Sequence, residues 1–196
     1  MHSAGAVETT PGERRCGTAR AYPGHLATLK AEAAFGAIPT PLRLHADPRY
    51  TGKGVTIALV DSGFYPHPDL IQPKNRLGAW VDVGRDPVRV IRFQAGETPR
   101  WPGWDAVDPS QWRGLMTSVA AAGNGWLSHG FYRGLASYAS VILIQVRDDN
   151  GRITNETIAR GLRWLHRHGA DLGVKVVNLS VGGEAIRPLA GNPVDE

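Results

Sequence analysis

The chain has 196 residues, 42% of them hydrophobic and 20% charged, which is enough for one folded domain with a sizeable core. The net charge of +4 is spread along the chain with no long basic run, so neither nucleic acid nor a membrane surface is the expected partner. Cys16 is the single cysteine, which excludes an intrachain disulfide, and no stretch approaches the ~18 continuous apolar residues of a membrane span.

Residues 1–24 are rich in Gly, Pro, Thr and Arg without periodicity and read as a flexible lead-in. They lack a basic region followed by an apolar one, so the cytoplasm is the default expectation. Cys16 in this polar stretch reads as a free surface thiol. From His25 to about Phe35, Leu26, Leu29 and Ala33 with Lys30 and Glu32 fit a short helix that Pro39 and Pro41 end. Leu42 to Ala46 adds a turn.

Thr51-Gly52-Lys53-Gly54 looks like part of a phosphate loop but fails the test. The earlier Gly is missing, Gly follows the Lys, and a strand comes next where a helix is needed. It predicts a tight turn launching Val55 to Val60. That run is apolar except for Thr56 and rich in β-branched types, so it predicts a strand covered on both faces, as in a parallel sheet under helices. It ends in Asp61-Ser62-Gly63. A carboxylate at the carboxyl end of such a strand lies where open α/β sheets place their sites.

Tyr65 to Leu70 is a Pro-bracketed turn, and 77–83 and 88–93 are predicted strands. Residues 95–110, with two Trp and three Pro, read as a surface loop. Small residues over 117–122 predict a tightly packed helix stopped by Gly123-Asn124-Gly125. Residues 140–146 form another buried strand. Asp148 to Gly151 is a turn without the spaced ligands of a calcium loop, so no metal is expected there. Thr154 caps a helix with Ile158, Leu162 and Leu165 on one face, Glu156 and Arg160 as an i,i+4 pair, and Gly169 as its stop. His166 and His168 complement the helix dipole. Residues 174–180 are the next strand. Strands alternating with helices in this order predict parallel pairing with right-handed crossovers. Asn192-Pro193-Val194-Asp195-Glu196 is a helix-start signal, and the expectation drawn from it is that the chain is truncated relative to its fold.

Three stretches in this order resemble the subtilisin-like serine peptidases, or subtilases. Gly54 to Gly63 followed by His67-Pro68-Asp69-Leu70 is similar to the catalytic-aspartate motif. Arg113 to Gly123 is similar to the His-Gly-Thr-x-x-x-Val-Ala helix that carries the histidine. Val176 to Gly183 is similar to the strand and glycines lining the substrate cleft. The resemblance covers about residues 50–190. It implies a three-layer α/β fold with a mainly parallel sheet, with residues 25–196 as part of a catalytic domain. It also implies a polypeptide substrate or extended peptide as partner, no cofactor, and acyl transfer by an Asp-His-Ser triad.

On this resemblance Asp61 takes the aspartate position and Ser180, Val181 and Gly182 the substrate-binding edge. The histidine position is Arg113, with Leu115 where the threonine belongs. Arginine stays protonated and has no acceptor nitrogen, so it cannot take a proton from a serine. No serine here matches the nucleophile motif: Ser62 and Ser118 adjoin the other motifs, Ser180 falls in the cleft wall, and His129 lies too far along the next loop to serve as the base. The expectations are a chain that does not hydrolyse peptides as it stands, and an Arg113–Asp61 salt bridge. The alternatives are a peptide-binding pseudo-peptidase, a gene fragment without a stable product, or an unrelated nucleotide-binding domain, the last disfavoured by the missing phosphate loop.

Overall fold

The structure, a computed structural model, describes residues 39–94, 97, 99 and 111–181. The expected helix over 25–35, most of the loop over 95–110 and the helix start at 192–193 lie outside the described residues.

Five strands form one sheet: β1 (Thr56–Asp61), β2 (Leu77–Asp82), β3 (Arg89–Arg92), β4 (Ser140–Gln145) and β5 (Val174–Leu179). The order across the sheet is β3-β2-β4-β1-β5. β1 pairs in parallel with both β4 and β5, and β2 pairs in parallel with β4. β3 departs from the parallel rule: it returns antiparallel to β2 through a short loop that leaves no room for a crossover.

The apolar run of β1 is covered on both faces, as its lack of alternation requires. On one face Ile57 and Leu59 join Trp80 and Leu143, with Val119 and Ala122 of α3 (Gln111–Ala122) packed over them. On the other, Ala58 and Val60 join Ile142 and Ile144 beneath Ile158, Trp164 and Leu165 of α4 (Asn155–His168). The result is three layers. Leu59, Leu143 and Ile144 have no exposed surface, and each such side chain contributes roughly 1.5–3 kcal/mol of transfer free energy. Two single-turn helices, α1 (Thr40–Arg43) and α2 (Pro68–Ile71), complete the described helices with a 3₁₀ turn at Trp126–Ser128. Among the described residues no helix is long and apolar enough to cross a membrane.

Some local expectations hold and others need correction. α1 begins at Thr40, ahead of the turn expected over 42–46, because Pro41 is pre-set for a helix's first turn. Thr154 caps α4 in a reciprocal box with Thr157 (3.1 and 3.0 Å). Gly169 closes α4 as its C-cap, as expected, with right-handed helical backbone, and Gly173, φ 68°, turns the chain just before β5. Glu156 pairs with Arg163 at 2.6 Å, while Arg160 donates to the Arg85 carbonyl at 2.6 Å. A carbonyl on the neighbouring loop is fixed in place, so it outcompetes a mobile carboxylate for Arg160.

Candidate active site

The carboxyl ends of the parallel strands meet along one edge. In register there, Asp61 of β1 stands opposite Gln145 of β4, and Gln145 opposite Asp82 of β2. On the other side, Val60 stands opposite Leu179 of β5, and the Ser180 amide donates to the Val60 carbonyl at 3.3 Å. The fold therefore brings Asp61 and Ser180 to neighbouring strand ends. Val181 follows, packed against the α4-side core, and Gly182 lies outside the described residues.

Asp61 is 1% exposed. Its Oδ1 accepts the Ser62 amide at 2.7 Å and the Ser62 hydroxyl at 3.2 Å. Its Oδ2 lies 2.9 Å from the Thr117 hydroxyl, which is also 3.0 Å from the Gly114 carbonyl. A hydroxyl has one proton, and the carboxylate is the stronger acceptor. A buried charge needs such partners, because water cannot solvate it there.

Helix α3 reaches Asp61 because its first turn, at Gln111 and Gly114, lies directly on Gly63. Gly114, Ser118 and Ala122 form the buried stripe of the helix at i, i+4, i+8. At Gly114 the approach is closest: a Cβ there would stand 1.9 Å from the Gly63 carbonyl oxygen, so only glycine fits. The small residues of this stretch thus serve to bring a helix down onto a strand end. Ser118 donates to the Leu115 carbonyl at 2.9 Å, as a buried structural hydroxyl would.

Arg113, on the first turn of α3, is exposed. It makes no ion pair with Asp61, which corrects the expected salt bridge. Both carboxylate oxygens of Asp61 are taken from within, by Ser62 and Thr117, and the carboxylate lies too deep for a guanidinium to reach without being buried itself. Thr117 is the partner that the sequence reasoning missed. The signal was present as a hydroxyl one turn beyond the histidine position, on the same helix face.

The His-Pro-Asp-Leu turn is structural. His67 Nδ1 accepts the Asp69 amide at 3.2 Å and caps α2. Asp69 Oδ1 accepts the Leu127 amide at 3.0 Å, and the Asp69 carbonyl accepts the Asn124 amide at 3.0 Å. The turn thereby holds the exit of α3. His129 sits exposed after the 3₁₀ turn. Asp82 is buried, and burial pushes its carboxyl above the ordinary range. The Gly84 amide at 3.1 Å and Arg85 at 3.3 Å oppose that shift. Among the described residues no three His, Cys, Asp or Glu side chains are grouped to hold a metal ion.

A mainly parallel sheet between two helical layers, with a buried aspartate at the end of a central strand and a small-faced helix lying on it, has the architecture of subtilisin-like peptidases. The family model described as the subtilase family, peptidase S8, matches residues 52–194, and the chain belongs to that family. It is 31% identical over 142 residues to serine protease AprX of Bacillus subtilis (strain 168), covering 70% of this chain and 27% of AprX. To the minor extracellular protease Vpr of the same organism it is 30% identical over 141 residues, covering 71% of this chain and 15% of Vpr. The solved structure of the S41 psychrophilic protease shares the fold, with a TM-score of 0.51 at 24% identity over 70% of this chain and 40% of that one. The chain thus spans less than a third of the length of the curated relatives it matches.

Proposed function

We propose that this subtilase-family domain, in the residues given, binds extended polypeptide and does not cleave it. One observation carries this reading. The aspartate that should orient a histidine has both oxygens satisfied by Ser62 and Thr117, and the histidine position holds Arg113. A triad needs an imidazole whose one nitrogen is held by the aspartate while the other accepts the serine proton. Arginine cannot accept that proton, because every guanidinium nitrogen is a donor at neutral pH. The peptide-binding half of the reading rests on β5. Among the described residues it pairs with β1 alone, and its Val176, Val177 and Leu179 are 48%, 46% and 39% exposed. An edge strand of this kind accepts an added extended segment through main-chain hydrogen bonds.

The test uses fluorescently quenched casein for cleavage and immobilised, reduced and carboxymethylated casein for capture. The expected outcome is retention on the casein resin with no release of fluorescence above buffer. Cleavage that copurifies with the protein and disappears in Asp61→Asn would overturn the reading. Absence of capture would remove its binding half.

A further inference from the structure

At the amino edge of the sheet the fold holds a cavity of about 220 Å³. One wall is the segment that follows α1. It folds back on itself through the His45 and Ala46 amides, which donate to the Leu42 and Pro41 carbonyls at 3.1 and 2.8 Å. The other wall is the stretch that enters β4, with Arg133, Leu135 and Ser137. The two walls are fixed to each other. The Tyr138 amide donates to the Thr51 carbonyl at 2.9 Å, and at Gly52, φ 75°, a Cβ would stand 3.0 Å from the Ala136 methyl. Thr51 precedes β1 and Ser137 precedes β4, so the cavity lies at the end of β1 away from Asp61, about 20 Å along a six-residue strand.

Its floor is apolar: Leu42, Ala46, Pro48 and Leu135. An apolar cavity of roughly 150 Å³ takes up benzene, so this one accommodates one aromatic ring with a short side chain. The polar part of the lining is one-sided. Ser137 is 3% exposed, and among the described residues its hydroxyl has no hydrogen bond. A buried hydroxyl left without a partner is costly, and native folds leave few of them. His45 and Arg133 also line the cavity, and both can donate. The one acid in the lining, Asp47, is committed: its two oxygens accept the Arg49 amide and guanidinium at 2.6 to 3.0 Å. His45 has left-handed backbone, φ 51°, a conformation that side chains rarely adopt and that recurs at ligand clamps.

We propose that this cavity binds a small apolar carboxylate, one aromatic ring on a short acidic chain. The ring lies on Leu42, Pro48 and Leu135, and the carboxylate accepts from Ser137 with His45 and Arg133 beside it. An ionised carboxylate only accepts, which suits a lining of donors. A hydrogen bond to a charged group is also stronger than one to a neutral group, so the acid is favoured over a neutral analogue of the same shape. The cavity shares no residue with the candidate active site, and its occupancy is independent of what the carboxyl edge binds.

The experiment titrates the full chain with 3-phenylpropionate and with 3-phenylpropanamide at neutral pH and low salt, following the ring protons of each by saturation-transfer NMR. The acid is expected to bind about tenfold more tightly than the amide, the size of one charge-assisted hydrogen bond. Ser137→Ala is expected to weaken the acid several-fold without lowering the melting temperature, because the hydroxyl it removes has no partner in the unliganded fold. Leu135→Glu, at a position 42% exposed and so tolerant of charge, is expected to abolish binding of the acid. Equal affinity for acid and amide overturns the carboxylate assignment. Binding of neither overturns the site. Acid binding that survives unchanged in both variants places the ligand elsewhere and overturns it too. A Ser137→Ala chain that melts below the parent assigns the hydroxyl a structural partner and removes it from the site.

Discussion

Thr117 is a small side chain with a large local consequence. Its hydroxyl satisfies the outer oxygen of a carboxylate that is almost wholly buried. Thr117→Val keeps the shape and removes the donor. The expected cost is about 1–3 kcal/mol, the penalty for a buried acceptor left unpaired. It should appear as a lower urea midpoint at unchanged slope, with Thr117→Ser recovering most of the loss. A midpoint that does not move would show that Asp61 finds its donor elsewhere. The strand end at Asp61 was legible in the sequence, because an apolar run stopping at Asp-Ser-Gly has few other meanings. The partner was not legible. A helix's periodicity says which residues share a face and nothing about which strand end that face will meet, and a motif centred on a histidine directs attention to Arg113. The salt bridge expected there was drawn from opposite charge alone. It gave way because desolvating a guanidinium costs more than using two hydroxyls and an amide already close at hand.

The contact of α3 with β1 depends on one missing side chain. Gly114→Ala puts a methyl 1.9 Å from the Gly63 carbonyl oxygen, so the helix must lift. Overpacking of this kind costs roughly 1–3 kcal/mol. Because the lift carries Thr117 with it, the Ser62 amide, which donates to Asp61, is expected to exchange its hydrogen faster than in the parent. Global destabilisation without faster exchange at Ser62 would argue that helix and carboxylate are not linked. At this scale the sequence spoke clearly where the signal was periodic or punctuated. Each expected strand over 55–60, 77–83, 88–93, 140–146 and 174–180 is present to within a residue or so at each end, and α3 ends at Ala122, where the glycines begin. It spoke poorly where several partners compete. Arg160 chose a carbonyl over Glu156.

For the molecule as a whole, Asp82 ties global stability to pH. Its carboxyl titrates above the ordinary value of 3.8 in the fold, chiefly because it is buried. A carboxyl raised in the folded state holds more protons there than in the unfolded chain. Its contribution is therefore complete below the ordinary value and is lost as pH rises through the raised one. The substitution Asp82→Asn replaces the carboxyl with an amide that does not titrate. The melting temperature of this variant relative to the parent is thus expected to improve as pH climbs from about 4 to 7. A constant difference across that range would show that the Arg85 pairing cancels the burial cost. The layered architecture was readable in advance because both faces of β1 had to be covered. The antiparallel return of β3 was not, since a short charged strand carries no mark of its direction.

The strand order also bears on how the protein is made. β1 is second from one border, and its hydrogen-bonding partners begin at Ser140 and Val174. At about 5–20 residues per second, synthesis finishes β1 several seconds before either neighbour leaves the ribosome. A six-residue strand with four apolar residues at its centre must stay unpaired through that interval. The order of manufacture and the order of assembly run against each other at this strand.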